Sequence, residues 1–186
     1  VRMSFMTLSN VQTIEVLVTS KKLHNLKILH LSDLHINKKT TLSQLKELIN
    51  LCNNLSYDIA VITGDIIDTK VKFIKEKLHI LNNLKGIVYF ISGNHDLFYG
   101  LEDLKNELSN FIFMDNSCKI FTYKNEIIHI AGLPDRFSKF FKIKRDESKI
   151  KSFLENKPSI FISHQPKDYK IALISNSDLF LCGHTH

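Results

Sequence analysis

Short apolar runs recur along the chain, and a polar turn follows each of them. The runs occupy residues 28–31, 59–62, 87–91, 160–162 and 179–182. Continuous apolar runs of this length, bounded by turn residues, are typical of strands that are buried on both faces of a largely parallel sheet. The pattern therefore predicts five interior strands.

Helical spacing of apolar residues fills the gaps between the first three runs. The first set follows Thr40 and Thr41, which are candidate N-caps, and the second set ends before Gly86, a candidate helix stop. We predict that both helices are crossovers between parallel strands. The two sets are Leu42, Leu45, Leu48, Ile49, Cys52 and Leu55, and Val71, Ile74, Leu78, Leu81 and Leu84.

The rest of the chain has a weaker pattern. It predicts an antiparallel lead-in strand at 11–18, a short helix around 101–108, antiparallel strands at 119–123 and 126–131, and a long loop from 132 to about 146. Further helices are expected around 150–154 and within 167–175. Because strands and helices alternate through most of the chain, we predict a layered α/β sandwich in which residues 1–186 form a single domain.

Polar clusters with metal-binding side chains follow all five predicted strands. They are Ser32-Asp33-Leu34-His35, Gly64-Asp65-Ile66-Ile67-Asp68, Gly93-Asn94-His95-Asp96, Ser163-His164-Gln165-Pro166 and Gly183-His184-Thr185-His186. Ligands of open α/β sheets bind beyond the carboxyl ends of the strands, so the fold would bring these clusters together. Carboxylate, amide and imidazole groups without thiolate favour Mn²⁺, Fe or Zn²⁺, and the number of imidazoles argues against Mg²⁺ and Ca²⁺. The clusters are therefore a candidate two-metal hydrolase site.

In chain order the clusters read D-x-H, G-D-x-x-D, G-N-H-D, a single His and G-H-x-H, and this set resembles the calcineurin-like metallophosphoesterases. The resemblance spans Asp33 to His186 and is greatest to a bacterial, often membrane-associated branch that acts on phosphoesters. It implies an α/β/β/α sandwich of mixed sheets with flanking helices. Because that family continues beyond G-H-x-H, the resemblance also implies that the C-terminal part of the fold is missing here.

The resemblance implies a role for each cluster. The implied ligands of one metal are Asp33, His35, Asp65 and His186, and those of the other are Asp65, Asn94, His164 and His184. Asp65 would bridge the two divalent ions, and a hydroxide between them would attack a phosphomonoester or phosphodiester in line. His95 would act as general acid at the leaving group, with Asp68 accepting its hydrogen bond. Asp96 is a weaker candidate for that second role.

The same residues also have other interpretations. Taken singly, Asp33 and Asp65 are common turn or capping residues and His164 is a common turn histidine, but this does not explain why each such turn carries ligand-type residues. A non-catalytic partner-binding module on the same fold would show substitutions among the seven implied ligands, and the sequence has none. A nuclease of this family usually carries an additional DNA-binding domain. An enzyme acting on a smaller phosphoester is therefore favoured.

The composition fits one domain that binds an anionic ligand. The chain has 186 residues, 44% of them hydrophobic, with a formal net charge of +6 and a pI near 9.1. The positive charge suits a small-molecule or lipid-linked phosphoester, but it suits nucleic acid or an anionic membrane equally well. The three cysteines are too few and too scattered for a disulfide framework.

The sequence leaves the cellular location open. No apolar stretch approaches the roughly 20 residues that cross a bilayer, and the start lacks the features of a signal peptide. The chain begins at Val1 and stops at His186, the last residue of a motif, so we expect both ends to be cut. A cytoplasmic and a membrane-associated location, the latter through an upstream anchor, are both consistent with this pattern.

The segment 136–145 combines five cations with three phenylalanines. One interpretation is a basic surface loop whose aromatic side chains cover the core. The other is a rim element that meets an amphiphilic phosphoester or makes peripheral contact with an anionic lipid surface. Single-stranded nucleic acid stacks on similar mixtures, although nucleic acid is the less favoured partner.

Overall fold

Two four-stranded sheets form the centre of the computed structural model, which describes residues 14–20, 22–23 and 25–185. The first sheet consists of β1 (Ile28–Leu31), β2 (Ile59–Ile62), β3 (Ile87–Phe90) and β4 (Phe111–Phe113). These strands are neighbours in that order, and each pair is parallel. Their carboxyl ends therefore share one edge of the sheet.

The second sheet is mixed. It consists of β5 (Ser117–Tyr123), β6 (Glu126–Leu133), β7 (Ser159–Ser163) and β8 (Leu179–Leu181), again in chain order. β5 and β6 form an antiparallel pair, which confirms the prediction for 119–123 and 126–131, whereas β6, β7 and β8 are parallel. The clusters that follow β7 and β8 therefore also lie at one edge.

In the described part of the chain, six α-helices flank the sheets. They are α1 (Leu42–Asn54), α2 (Lys75–Leu81), α3 (Asn94–Tyr99), α4 (Leu101–Glu107), α5 (Glu147–Leu154) and α6 (Tyr169–Ile174). Thr41 is the N-cap of α1. Its hydroxyl accepts the Gln44 N–H at 3.2 Å, and the Gln44 side chain accepts the Thr41 N–H at 2.8 Å. This capping box satisfies two N–H groups near the helix start.

The strands are buried on both faces because their alternate residues enter different cores. In β2, Ala60 and Ile62 belong to the core shared with α1 to α4, whereas Ile59 and Val61 belong to the core between the sheets. In β7, Phe161 belongs to the core shared with α5 and α6. The layers therefore run helix, sheet, sheet, helix, which confirms the predicted α/β/β/α sandwich.

Several predicted elements have different bounds or are absent. The predicted helix from Val71 to Leu84 is divided into a 3₁₀ turn, Val71–Phe73, and α2. The predicted loop after residue 132 begins later, because β6 continues to Leu133, and it contains a 3₁₀ helix, Arg136–Phe141. Another 3₁₀ turn, Pro166–Asp168, precedes α6. β4 and α3 were not predicted.

The predicted lead-in strand is wrong over the part that is described. Residues 14–18 form no strand, and residues 11–13 lie outside the described residues. Leu17 is 92% exposed, and Val16 and Val18 are exposed too. Alternation of apolar residues makes a strand only where a neighbouring strand offers hydrogen bonds and one face is covered, and these residues have neither.

The described helices and cysteines add two further observations. No helix among the described residues is both long enough and apolar enough to cross a bilayer. Cys52, Cys118 and Cys182 are free thiols, and Cys52 is buried in the core beneath α1. The absence of a disulfide framework agrees with the prediction from cysteine count and spacing.

Candidate metal centre

The five motif clusters meet where the carboxyl ends of the two sheets come together. The clusters after β1, β2 and β3 belong to the first sheet, and those after β7 and β8 belong to the second. The His184 N–H donates to the Asp33 carboxylate at 3.0 Å. The His164 ring lies 2.7 Å from the Thr63 carbonyl oxygen through Nδ1. The site is therefore built across both sheets.

Four of the proposed ligands have a left-handed backbone. The φ angles are 55° at Asp33, 45° at His35, 52° at Asp65 and 72° at His184. This conformation costs about 1–2 kcal/mol for a residue with a Cβ, so it persists only where neighbouring contacts hold it. The Asp33 N–H donates to the Gly64 carbonyl at 3.0 Å, and the His35 N–H donates to the Asp65 carbonyl at 2.9 Å. These bonds fix the first loop against the second.

Asp65 lies at the centre of the cluster and is almost fully buried. Its Oδ1 accepts the His95 backbone N–H at 2.8 Å, while its Oδ2 lies 3.3 Å from His164 Nε2 and 3.9 Å from His35 Nε2. Burial raises the pKa of Asp65, but the hydrogen bond and charge of His164 outweigh it and hold the pKa below its usual value. Asp65 is therefore a carboxylate that faces imidazoles on two sides.

His164 and His184 form the second-sheet side of the site. His164 is fully buried, and its Nε2 lies 3.2 Å from Nδ1 of the exposed His184. Burial lowers the pKa of His164, but the Asp65 carboxylate and the Thr63 carbonyl raise it by more, so that the resulting pKa is about 9. The metal-free ring is therefore protonated at neutral pH. A cation would replace that proton between Asp65, His164 and His184.

Asn94 is the first residue of α3, and its side chain supplies the most direct test of a metal site. Its Oδ1 is buried and accepts no hydrogen bond within the described part of the chain. An unsatisfied buried acceptor costs about 1–3 kcal/mol, so groups of this kind are rare unless a ligand completes them. A buried amide oxygen left without a donor, in the motif that precedes His95, fits a cation ligand.

Two motif glycines permit the loops to approach this closely. A Cβ added at Gly93 would lie 2.1 Å from Asp65 Oδ1, and one added at Gly64 would lie 2.6 Å from the Gly93 nitrogen. Gly64 also has φ of +96°, a conformation that side chains disfavour. The loops after β2 and β3 can therefore contact each other only through glycine.

Asp96 holds these two loops together. Its carboxylate accepts the N–H groups of Gly93 at 2.9 Å and of Ile66 and Ile67 at 2.9 and 3.2 Å. Burial, with the nearby Asp65 charge, raises the pKa of Asp96 to about 7 despite these donors. Since all three contacts are with backbone groups, Asp96 supports the site and does not share the contact with His95.

His95 and Asp68 are hydrogen-bonded to each other on the open side of the site. His95 Nδ1 lies 2.8 Å from Asp68 Oδ1, and both side chains are about one third exposed, at 36% and 35%. The His95 ring also meets the His35 ring edge-on, with centroids 4.7 Å apart. Because Nδ1 faces the carboxylate, Nε2 is the nitrogen that remains for an incoming group.

The described residues contain two groups with metal-binding geometry, and both include Asp65. One comprises His35, Asp65 and His95, and the other comprises Asp65, His164 and His184; the ligand atoms within each group lie within 4.8 Å of one another. Asp33 Oδ1 is 4.0 Å from His35 Nε2, and the proposed ligand His186 lies outside the described residues. Imidazole and carboxylate donors suit Mn²⁺, Fe or Zn²⁺.

Two supporting contacts were not identified from the sequence. The Thr63 carbonyl, which orients His164, is a backbone group and leaves no trace in residue identity. Asp96 does leave one, because an acidic residue three positions after Gly93 is typical of a helix start, and α3 begins there. Side chains around a ligand are often oriented by such neighbours.

Comparisons with known proteins identify the family. The profile of the family described as Calcineurin-like phosphoesterase matches residues 26–186. A metallophosphoesterase of Campylobacter jejuni is 35% identical over 184 residues, covering 95% of this chain and 48% of that relative. The UDP-2,3-diacylglucosamine pyrophosphatase LpxG of Chlamydia trachomatis is 38% identical over 77 residues, covering 40% of this chain and 23% of that relative.

One solved structure has the same fold at low identity. GAP50, described as the anchor in the inner membrane complex of Plasmodium, has a TM-score of 0.57 at 14% identity and covers 86% of this chain and 65% of that chain. At this identity the similarity concerns the fold alone. This chain spans about half the length of the Campylobacter relative, at 48%.

Proposed function

The chain belongs to the calcineurin-like phosphoesterase family, and on that premise we propose that it is a dinuclear metal-dependent phosphoesterase. The observation that carries the proposal is the position of Asp65, whose carboxylate lies with His35 on one side and with His164 and His184 on the other. His95 shares the first group, but we assign it a different role because its Nδ1 is hydrogen-bonded to Asp68. A carboxylate shared between two cations reduces their mutual repulsion. We assign the remaining ligands as Asp33 and His35 on one side and Asn94, His164 and His184 on the other, with His186 added by resemblance.

When bound, two Mn²⁺, Fe or Zn²⁺ ions would screen the charge of the phosphoryl group and lower the pKa of a water that attacks phosphorus. The buried carboxylates of Asp33 and Asp65 provide the negative charge that such ions require. The unsatisfied Asn94 oxygen provides a further neutral donor. The imidazoles of His35, His164 and His184, which lie with Asp65 in the candidate ligand groups, favour a transition metal over Mg²⁺ or Ca²⁺.

His95 is the proposed proton donor to the leaving-group oxygen. Its Nδ1 is hydrogen-bonded to Asp68, which compensates a positive charge on the ring and fixes its orientation. Nε2 is then directed away from Asp68 and can donate to the substrate. The partial exposure of His95 is consistent with access to a bound ester.

The proposed substrate is a small or lipid-linked phosphoester. The net charge of +6 attracts anions, and the partial similarity to a diacylglucosamine pyrophosphatase supports a lipid-linked substrate more than a nucleic acid.

A non-catalytic partner-binding module is the second candidate, because the family includes proteins whose role is not hydrolysis. A screen of phosphomonoesters, phosphodiesters and nucleotide sugars distinguishes the two. We expect hydrolysis with Mn²⁺, loss with a chelator and recovery when the metal is restored, with Asp65→Asn as the inactive control. A folded protein that holds two metals but hydrolyses none of these esters would favour the partner-binding module.

A further inference from the structure

Four phenylalanines form an exposed surface beside the metal centre. Phe98 is 75% exposed, Phe137 44%, Phe140 68% and Phe141 40%. The Phe98 and Phe141 rings are 6.4 Å apart, and the Phe137 and Phe140 rings are 5.6 Å apart. The expectation that the aromatic side chains of 136–145 cover the core is therefore wrong, because three of these four rings belong to that segment and face solvent.

The segment 136–145, which carries Phe137, Phe140 and Phe141, is firmly anchored. Asp168 is fully buried and forms ion pairs with Arg136 at 2.6 Å and Arg145 at 2.8 Å, and it also accepts the Ser163 hydroxyl. At the start of the 3₁₀ helix, Asp135 accepts the Phe137 N–H at 2.7 Å. A buried carboxylate with two arginines is costly to separate, so the phenylalanines are presented on a fixed support.

The remaining cations of the segment are available to a partner. Residues 136–145 contain five cations and no acidic residue. Lys139, Lys142 and Lys144 are exposed, and within the described chain none of them forms an ion pair. Lys139 Nζ lies 5.0 Å from the Phe140 ring. Phe141 also lines a groove together with two acidic residues of α4, Glu102 and Asp103. Glu102 is paired with Lys105.

A series of aromatic contacts connects this surface to the proposed proton donor. The His95 ring is 6.0 Å from the Tyr99 ring, Tyr99 is 6.1 Å from Phe98, and Phe98 is 6.4 Å from Phe141. α3 carries the first three of these residues. The leaving-group side of the site therefore opens next to the exposed phenylalanines.

We propose that Phe98, Phe137, Phe140 and Phe141, with Lys139, Lys142 and Lys144, form an aromatic–basic surface that docks on an anionic lipid bilayer. The rings would enter the boundary between headgroups and acyl chains while the lysines contact anionic headgroups. The orientation of the leaving group toward this surface rests on the proposed phosphoesterase function. The docking proposal does not depend on that function.

The ring geometry favours a bilayer over single-stranded nucleic acid. Bases stack on flat aromatic faces, and a run of nucleotides needs several such faces in sequence. Here the Phe98 and Phe141 rings are inclined by 79° and the Phe137 and Phe140 rings by 45°. Neither pair therefore presents parallel faces on which successive bases could stack, whereas insertion into a lipid interface needs no such alignment.

Vesicle sedimentation tests the proposal. The 186-residue chain is mixed with vesicles of phosphatidylcholine alone or with about one third phosphatidylglycerol. We expect binding to the anionic vesicles only, weakened when salt rises from about 0.1 to 0.5 M because the lysine contacts are screened. Phe98→Ser with Phe140→Ser should lower the partition coefficient about tenfold or more, and Lys139→Glu with Lys142→Glu should abolish the anionic preference.

The matched control is Ile120→Ser with Ile127→Ser, which removes two apolar side chains of similar exposure, 59% and 53%, from β5 and β6. Thermal melts establish that each variant is folded. Equal binding by the phenylalanine variant and the control, equal binding to both vesicle types, or binding to single-stranded DNA in place of vesicles would overturn the proposal. Repeating the assay on chelator-treated protein separates docking from catalysis, because binding needs no turnover.

Discussion

The His164 ring and the His95 backbone N–H contact different oxygens of Asp65, and the two imidazoles lie in contrasting surroundings. His164, on the second-sheet side, is 0% exposed, and its Nδ1 faces the carbonyl of Thr63. His95, on the open side, is 36% exposed at its side chain, and its Nδ1 faces the carboxylate of Asp68. Both rings therefore have Nδ1 occupied, and Nε2 of His164 lies 3.3 Å from Asp65 Oδ2.

The contrast explains how one residue type can serve two purposes. A neutral carbonyl partner and complete burial give His164 a fixed ring that a cation can bind once its proton leaves. A carboxylate partner and partial exposure give His95 compensation for a positive charge and access to a substrate. On this view the partner of Nδ1 distinguishes His164, a proposed ligand, from His95, the proposed proton donor.

The largest effect is expected from Asp65→Asn, which removes the charge between the two sides. Both metals should bind more weakly and hydrolysis should be abolished, because neither cation keeps its shared compensation. Elemental analysis of the folded variant measures the metal content, with Glu76→Gln on α2 as an exposed, charge-matched control. Two tightly held metals in the variant would remove the reason for a bridging role.

His95→Ala should leave the metals in place and act on rate. We expect two metals retained and a rate lower by roughly 10²- to 10⁴-fold, as is typical when a general acid is lost. Esters with good leaving groups, which need no proton, should lose less. Equal losses for nitrophenyl and alkyl esters would contradict the contrast between His95 and His164.

Metal affinity on the His164 side should rise with pH. Because the pKa of His164 is raised to about 9, a cation must displace its proton at neutral pH, and affinity should increase about tenfold per pH unit toward that value. In the metal-free protein the same shift stabilises the fold below the ordinary pKa of 6.5, and this contribution is lost as pH rises through about 9. Calorimetry in buffers of different ionisation enthalpy counts the protons released; release of none near pH 7 would contradict the assignment.

Asp68→Asn should have the smallest effect. The amide oxygen can still accept the His95 hydrogen bond but no longer compensates a positive ring, so we expect a loss of about tenfold in rate with the metal content unchanged. Combined with His95→Ala, it should add nothing further, since both act on one group. An additive loss in the double variant would mean that Asp68 acts independently of His95.

Much of this architecture follows from the sequence, because buried strands have a strong apolar signal. The runs at 28–31 and 59–62 coincide with β1 and β2. β4 was not predicted because a run of three apolar residues, Phe111–Phe113, is too short to show a period. α3 was not predicted because it begins inside a polar motif at Asn94, where Gly93 and Asp96 are typical turn residues.

The candidate site was predictable as a set of residues but not as a geometry. Ordered clusters after strand ends predict that Asp65 and His164 meet, since the fold joins those ends. Burial of His164 and the role of the Thr63 carbonyl depend on packing between two sheets, which no local pattern records. The exposure of Phe140 was one of two interpretations that the sequence left open, because aromatic residues usually mark a covered face.

The central claim is that two cations share the Asp65 carboxylate, and electron paramagnetic resonance of the Mn²⁺-loaded protein tests it most directly. As Mn²⁺ is added toward two equivalents, the spectrum of an isolated ion should give way to that of an exchange-coupled pair, because a shared carboxylate holds the ions about 3.5–4 Å apart. Isolated-ion spectra that persist through two bound equivalents would contradict the shared centre.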